Sequence, residues 1–237
     1  MQQFLDTLLD VISTNNPSFE GDIKLPSERE LAASLGVNRA TLREKMAVLD
    51  AIGFIKRTQG SGTYLTMPRS QILQLTFNMA LRMNYTSIEH LTSAREMIEA
   101  GVARMAAQNA TDKDIKAMKY FLDRLLETQD PEYGHELDHA FHMHLSVATH
   151  NPVLQIILES FSPSLRKVLQ QRRRLVAQAP QGLEKTNETH VEIFEAVQNH
   201  DPDRAVKAME THFAMWQKFA KKAAGKQEKN NQKKMPV

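Results

Sequence analysis

The sequence contains no cysteine among its 237 residues. A disulfide framework and thiolate chemistry are therefore excluded, and a metal site would have to use histidine and carboxylate side chains. The chain also has no run of about 18 apolar residues, so we expect no transmembrane helix. The opening segment, MQQFLDTLLDVI, has neither a basic flank nor a small-residue cleavage site. We therefore expect no secretory signal and a cytoplasmic location.

An excess of positive charge is lacking except at the end of the chain. The formal net charge is +2, yet seven lysines lie in 218–237 against one acidic residue, so the rest of the chain is net negative. A globally basic surface for nucleic acid is excluded, and any such binding must depend on local clusters. We expect the segment 223–237, rich in Lys, Gln and Asn, to be a disordered basic tail.

Residues 25–65 have the pattern of a helix-turn-helix followed by a wing. Their sequence is LPSERELAASLGVNRATLREKMAVLDAIGFIKRTQGSGTYL. Pro26 and Ser27 start the first helix, Gly36 ends it, and Asn38 caps the second. The Gly-rich segment QGSG then separates two short β segments, which predicts a two-stranded ribbon able to approach a phosphate backbone closely. The alternative is a small helical subdomain whose arginines are only solvated.

Polar side chains cluster at the start of the second helix, the end that enters the major groove in helix-turn-helix proteins. They are Asn38, Arg39, Thr41 and Arg43. Arginine can bind a guanine edge through two hydrogen bonds, and asparagine can do the same with adenine. The pattern favours recognition of double-stranded DNA.

The second part of the chain is helical in pattern, without convincing strand alternation. Seven helices are predicted, at 70–83, 87–109, 112–128, 131–149, 152–178, 184–199 and 202–222. The expected fold is therefore mostly α, with an N-terminal winged helix-turn-helix and an all-α bundle of seven helices. The expected domains are 1–67, 68–222 and the tail.

Four residues of the predicted bundle could bind a metal ion. Asp138 and His142 are four positions apart and so share a helix face, while His190 and His212 lie on two later helices among apolar neighbours. Three imidazoles and a carboxylate suit a divalent ion, zinc first, with nickel or manganese as alternatives. A set of unrelated core and surface histidines remains open, because the Asp-x-x-x-His spacing is common by chance.

Two segments within residues 25–65 carry a family resemblance. LPSERELAASLGVNRATLRE and QGSGTYL resemble the winged helix-turn-helix of GntR-type bacterial transcription regulators, over about residues 4–66. The resemblance implies DNA contacts at six positions: Arg29, Asn38, Arg39, Thr41, Arg43 and Gly60.

The later segments DHAFHMHLSVATHNPVL and ETHVEIFEAVQNHDPDRAVKAMETHF resemble the all-helical FCD-type effector domain of the FadR subfamily, over about 70–222. This resemblance implies a divalent metal bound by the four residues named above. SIEHLTSAREMIEAGVARMAAQNAT resembles the first helix of that domain, in which the arginine pairs with a ligand carboxylate. Arg95 is thus a candidate anion anchor, with an ion pair to Glu99 as the alternative. Four further arginines, between which the sequence does not choose, lie at 166, 172, 173 and 174.

These expectations combine into a ligand-responsive repressor of carboxylate or sugar-acid metabolism rather than an enzyme. It would bind a near-palindromic operator as a homodimer, take a small carboxylate effector beside the metal, and have no membrane partner. One alternative makes the metal itself the signal. Another is a metal-dependent hydrolase with an accessory DNA-binding domain, which would need a general base that no spacing indicates.

Overall fold

The computed structural model describes residues 1–14, 21–67 and 70–232, with side chains up to 219. The chain divides into two compact units, Met1–Leu75 and Thr76–Val237. The predicted domain boundary at 67/68 adjoins positions 68 and 69, which lie outside the described residues. None of the helices in the described ranges is long and apolar enough to cross a membrane.

The first unit is a winged helix-turn-helix. Its described elements are α1 Gln2–Ser13, β1 Ile23–Lys24, α2 Glu28–Ser34, α3 Arg39–Ala51, β2 Ile55–Thr58 and β3 Gly62–Leu65. The predicted two-stranded ribbon is wrong in strand number, because β1 pairs antiparallel with β3 and completes a sheet of order β1-β3-β2. A strand of only two residues shows no alternation in the sequence, so its pairing with Leu65 and Tyr64 depends on tertiary packing.

Apolar residues from every helix of this unit form its core. Leu8 of α1, Leu31 of α2 and Leu42 of α3 are almost fully buried and belong to one cluster. Ser27 caps α2 through a capping box with Glu30, and Asn38 caps α3, as predicted. The core therefore orients the first turns of α2 and α3, where the predicted DNA contacts lie.

The second unit is all-helical, as predicted, and the described residues contain the seven expected helices. They are α4 Gln71–Arg82, α5 Ile88–Asn109, α6 Asp112–Glu127, α7 Pro131–Val147, α8 Pro152–Ala177, α9 Gly182–Gln198 and α10 Pro202–Gln232. Helix α10 continues to residue 232, into the segment for which the sequence predicts a disordered tail, and that tail stays a prediction. Lys, Ala, Gln and Glu in this stretch are all good helix formers. Positions 233–237 lie outside the described residues.

Small residues let the helices around α5 approach closely. Ala103, Ala106 and Ala107 of α5 are fully buried in the main core cluster. Phe141 of α7 and Ile193 of α9 are fully buried in the same cluster. The core thus brings together the helices that carry the predicted metal ligands.

Candidate metal centre and nucleic-acid interface

The structure brings the four predicted metal ligands together in the interior of the second unit. Asp138 and His142 come from α7, His190 from α9 and His212 from α10. One potential ligand atom from each lies within 4.8 Å of those of the others, and the three imidazoles are buried. Three helices that are distant in sequence therefore converge on one point.

The environment of His190 leaves a lone pair directed at a carboxylate. Its Nδ1 lies 3.0 Å from the carbonyl oxygen of Thr186. Because a carbonyl only accepts, Nδ1 carries the proton of the neutral ring and Nε2 carries the lone pair. Nε2 lies 2.8 Å from Asp138 Oδ1, although neither atom has a hydrogen-bond partner within the described residues. A lone pair facing a carboxylate is unfavourable unless a cation is shared between them.

His142 is oriented by a buried carboxylate that the sequence does not single out as a site residue. Its Nδ1 lies 2.5 Å from Glu99 Oε2, while the other oxygen of Glu99 pairs with Arg95 Nε. This leaves Nε2 of His142 buried and, in the described part of the chain, without a hydrogen-bond partner. A carboxylate behind a histidine is the usual arrangement around metal-binding imidazoles, because it fixes the ring and raises its basicity.

His212 is held by two other side chains. Trp216 donates its indole N–H to Nε2 of His212 over 3.1 Å. The other ring nitrogen, Nδ1, lies 2.9 Å from the hydroxyl oxygen of Thr189, and that hydroxyl donates to the carbonyl of Thr186. Nδ1 is therefore the protonated nitrogen, and the lone pair on Nε2 is shared with the tryptophan.

The electrostatics of the cluster favour a charged carboxylate and neutral imidazoles at two positions. Burial opposes ionisation of Asp138, but His190, His142 and Arg173 outweigh it and hold the pKa of the carboxyl well below its usual range. Burial lowers the pKa of His190 and, more strongly, that of His212. The pKa of His142 is raised, because Glu99 outweighs the effect of burial. An ionised carboxylate and neutral imidazoles are the forms that bind metal.

The donor set fits a divalent ion. Asp138 Oδ1, His142 Nε2 and His190 Nε2 are buried atoms without hydrogen-bond partners among the described residues. Buried polar atoms are normally paired, and a cation in their midst would satisfy all three at once. Nitrogen and carboxylate donors of this kind suit zinc, nickel or manganese.

A cavity beside the cluster is lined by cationic side chains. Arg95, Arg172 and Arg173 line it together with Asp138, His142 and Trp216. The sequence left open which arginine of α8 faces inward, and the structure turns Arg173 into the interior. By contrast, Arg166 and Arg174 form ion pairs on the surface with Glu136 and Glu132.

Arg95 adopts the ion pair that the sequence offered as an alternative. Its guanidinium pairs with Glu99, and both side chains are buried. Since Arg95 also lines the cavity, the pair is compatible with a contact to an anion. Its role as an anion anchor stays a prediction.

In the first unit, a single carboxylate holds two of the predicted DNA-contacting arginines. Glu28 Oε2 lies 2.8 Å from Arg43 Nε and 3.7 Å from Arg39 Nη2. The hydrogen bond from Arg43 is the main reason why the pKa of Glu28 is lowered. Asn38 accepts a hydrogen bond from the backbone N–H of Thr41 over 2.8 Å, so its amide oxygen is already engaged in the helix cap. Arg29 is exposed in the first turn of α2.

The wing combines a glycine turn with paired cations. Gly60 has a φ of +74°, a left-handed conformation that side chains disfavour. Lys56 pairs with Asp22 at 3.3 Å and Arg57 with Asp50 at 3.2 Å. All of these side chains are substantially exposed, so DNA phosphates can compete with the carboxylates.

Comparison with known proteins identifies both units. The model of the family described as bacterial regulatory proteins, gntR family, matches residues 16–65, and the FCD domain matches residues 90–215. The transcriptional repressor NanR of Edwardsiella tarda is 32% identical over 83% of this chain and 78% of its own length. The chain belongs to the GntR family.

Other GntR-family proteins agree with this assignment over most of the chain. The galactonate operon transcriptional repressor of Escherichia coli is 29% identical over 80% of this chain and 84% of its own. The solved structure of a GntR protein from Streptococcus agalactiae covers 90% of this chain and 97% of its own, with 26% identity and a TM-score of 0.66. This GntR protein is accordingly a DNA-binding transcription regulator and not an enzyme, so the hydrolase alternative is wrong.

Three residues of this GntR regulator's site were not predicted from the sequence in the positions they occupy. Glu99 lies behind His142, Arg173 lies beside Asp138, and Trp216 holds His212. One signal was present for Glu99, which is four residues after Arg95, and the same signal was present for Trp216, which is four residues after His212 on α10. The contact of Arg173 with Asp138 depends on the packing of α7 and α8, which the sequence pattern does not specify.

Proposed function

We propose that this regulator binds a near-palindromic operator as a homodimer and that a small carboxylate effector, bound beside a divalent metal ion, changes its affinity for DNA. The observation that carries the proposal is the convergence of three buried, unpaired donor atoms, from Asp138, His142 and His190, on one point of the helical unit. Zinc is the first choice of metal, and nickel or manganese are alternatives.

The residues that would hold the ion are Asp138, His142, His190 and His212. Once bound, the ion would supply a Lewis-acidic position for an anionic ligand. Glu99 would orient His142, and the Thr186 carbonyl would fix the tautomer of His190. Coordination by Nε2 of His212 would require the indole N–H of Trp216 to leave that atom.

The cavity beside the donor atoms supports an anionic effector. Arg95, Arg172 and Arg173 line it, and a divalent ion would add further positive charge. A related protein is named as a galactonate operon repressor, which favours a sugar acid or a similar carboxylate as the ligand. The same relationship favours a repressor that leaves its operator when the effector binds.

For operator recognition, the proposed contacts come from the starts of α2 and α3 and from the wing. They are Arg29, Asn38, Arg39, Thr41, Arg43 and Gly60. One winged domain reaches few base edges, so two copies on a near-palindrome would supply affinity and specificity. Exposed apolar side chains in the second unit, Met79, Met83 and Tyr85, support pairing with a second copy. The effector must bind two arrangements of the dimer unequally for any change in DNA affinity to result.

The proposal is tested in two steps with the full chain loaded with zinc. Duplexes selected from a random pool define the operator, and binding to it is then measured with and without a panel of sugar acids. Arg39→Ala and Arg43→Ala should lose specific affinity for the operator. The control is Lys119→Ala, which removes a cation that pairs with Asp123 on α6 of the other unit, and this variant should keep its affinity. Unchanged specific affinity in both arginine variants would refute the assignment of α3 as the helix that contacts the bases.

The metal is tested separately by elemental analysis. His190→Ala and His212→Ala should lose the bound divalent ion, whereas His150→Ala, a variant of an exposed histidine paired with Asp114, should retain it. Full retention in the first two variants would refute the ligand set. A regulator that responds to the metal alone remains the second candidate, because the donor atoms themselves form the site. Titrating operator affinity with metal alone, and then with acids, distinguishes the two.

A further inference from the structure

One buried cation beside the proposed metal site has unsatisfied hydrogen-bond donors. Arg173 of α8 is only 2% exposed, and its Nε and Nη1 have no hydrogen-bond partner in the described part of the protein. Its ion-pair partner, Asp138 Oδ1, lies 3.8 Å from Nη1, which is too far for a hydrogen bond. That oxygen is also only 2.8 Å from His190. Buried guanidinium nitrogens without acceptors cost free energy, so the placement of these two calls for a further anionic partner.

The neighbouring helix leaves room for this guanidinium only because it has a glycine there. A Cβ added to Gly134 of α7 would lie 2.6 Å from Nε, 2.7 Å from Nη2 and 2.9 Å from Cζ of Arg173. Carbon atoms do not approach so closely, so any other residue would displace the guanidinium. The backbone conformation of Gly134 does not require a glycine, because its φ is not positive. A glycine inside a helix also costs about 0.5–1 kcal/mol of stability relative to alanine. The space itself is therefore what the glycine provides.

Arg95, the arginine expected from the sequence, is in a different electrostatic state. Its charge is already matched by Glu99, and that carboxylate also contacts His142. Arg173 shares its carboxylate, Asp138, with His190 and with the proposed metal. Of the two, Arg173 has the greater capacity to bind a further anion.

We propose that Arg173, whose guanidinium lies in the space that Gly134 leaves, binds the carboxylate of the effector and thereby selects carboxylates over neutral ligands. This inference rests on the proposed function. One carboxylate can reach both the guanidinium and the ion, because Asp138 Oδ1, a donor atom of the metal set, is 3.8 Å from Nη1. Arg95 then acts as a positioning residue, through Glu99 and His142.

The test uses zinc-loaded full-length protein and two carboxylates, acetate and D-galactonate, with acetamide as the uncharged analogue of acetate. Binding is measured by calorimetric titration and bound zinc by elemental analysis of each variant. Arg173→Gln should weaken carboxylate binding roughly tenfold to a hundredfold, the range for a lost charge-assisted hydrogen bond. Zinc content should stay unchanged, and acetamide should not compete in any variant. Arg173→Lys should recover part of the affinity, because it keeps the charge but not the planar donors.

Gly134→Ala provides an independent variant that keeps the arginine. It should weaken carboxylate binding as Arg173→Gln does, since the added Cβ displaces the guanidinium. The matched control is Gly101→Ala on α5, a helical glycine whose added Cβ would meet nothing within 4 Å. The control should bind like the unaltered protein, and melting temperatures show whether each variant is folded.

Failure of this inference is distinguishable from failure of the proposed function. If the unaltered protein binds zinc and carboxylate while folded Arg173→Gln and Gly134→Ala bind carboxylate equally well, the assignment of Arg173 is overturned. If the unaltered, zinc-loaded protein binds neither carboxylate even at high concentration, both this inference and the proposed carboxylate effector are contradicted. Absence of bound zinc from the unaltered protein would instead contradict the proposed metal site.

Discussion

Trp216 donates its indole N–H to Nε2 of His212, with the two nitrogens 3.1 Å apart. The two residues are four apart on α10, so successive turns of one helix place the indole next to the imidazole. The lone pair that Trp216 occupies is the one that His212 would offer to a metal, because Nδ1 faces Thr189. Metal coordination and this hydrogen bond therefore compete for the same atom.

We predict that the competition is visible in tryptophan fluorescence. Trp216 is the only tryptophan in the sequence, so the emission reports on this contact without interference from other indoles. Adding zinc to chelator-treated protein should change its intensity or wavelength, because the indole N–H loses its acceptor. The measurement is a zinc titration followed by emission spectra.

Two variants make this prediction specific. His212→Ala should abolish the spectral response, whereas the surface variant His150→Ala should show it in full. An emission spectrum that stays constant while elemental analysis shows one bound zinc per chain would contradict the competition.

A second prediction concerns the buried carboxylate behind His142. Glu99→Gln should weaken metal binding by roughly 10- to 100-fold, the usual effect of losing an outer partner of a metal-binding histidine. Burial raises the pKa of Glu99, but Arg95 and His142 outweigh it and hold it below its usual range, so the group is ionised at neutral pH. Competition with a chelator of known affinity measures the change.

The control for Glu99 is a carboxylate that makes a surface ion pair. Glu136 on α7 pairs with Arg166, and both side chains are more than half exposed. Glu136→Gln should leave metal affinity unchanged, because it contacts none of the four proposed ligands. Equal affinities for the two variants would show that Glu99 does not support the site.

The sequence pattern predicted the helices, and the family resemblance predicted the grouping of the four proposed metal ligands, but neither predicted the contacts that surround them. Helix ends are predictable because Ser87, Thr111 and Asn151 cap α5, α6 and α8 through local hydrogen bonds. Asp138 and His142 are predictable as a pair because their separation places them on one helix face. Local rules of this kind involve residues within about one helical turn.

Two of the missed features depend on contacts between distant segments. Arg173 and Gly134 are 39 positions apart and meet because α7 and α8 pack together. In the same way, β1 pairs with β3, from which the helix-turn-helix separates it along the chain. Nothing in the pattern of two residues, Ile23 and Lys24, indicates a strand without that partner.

A third prediction follows from the way Glu28 holds Arg39 and Arg43. Glu28→Ala removes the carboxylate from both guanidinium groups, so the helix start becomes more positive. Affinity for a duplex of unrelated sequence should rise, and its salt dependence should steepen, because more counterions are released on binding. Affinities measured over a series of salt concentrations test this, and Asp123→Ala in the second unit serves as the control. An unchanged salt slope would contradict a role for these arginines at the phosphate backbone.

A fourth prediction concerns stability and pH at the start of α6. Asp114 accepts from the backbone N–H and the hydroxyl of Thr111 and also contacts His150 at 2.9 Å. Burial opposes ionisation, but these partners outweigh it and lower the pKa of Asp114. Because the folded pKa lies below the unfolded value of about 3.9, the stabilisation is present above that pH and is lost as the pH falls through the folded pKa.

Asp114→Asn should therefore lower the free energy of unfolding by about 1 kcal/mol at pH ~7, the usual size of a capping contribution. The difference from the unaltered protein should shrink as the pH falls below about 4, since the carboxyl becomes protonated there. Urea unfolding at a series of pH values measures both effects. Asp112→Asn, in the same first turn but outside the capping box, should show a smaller change, and a loss for Asp114→Asn that is independent of pH would contradict the role of its charge.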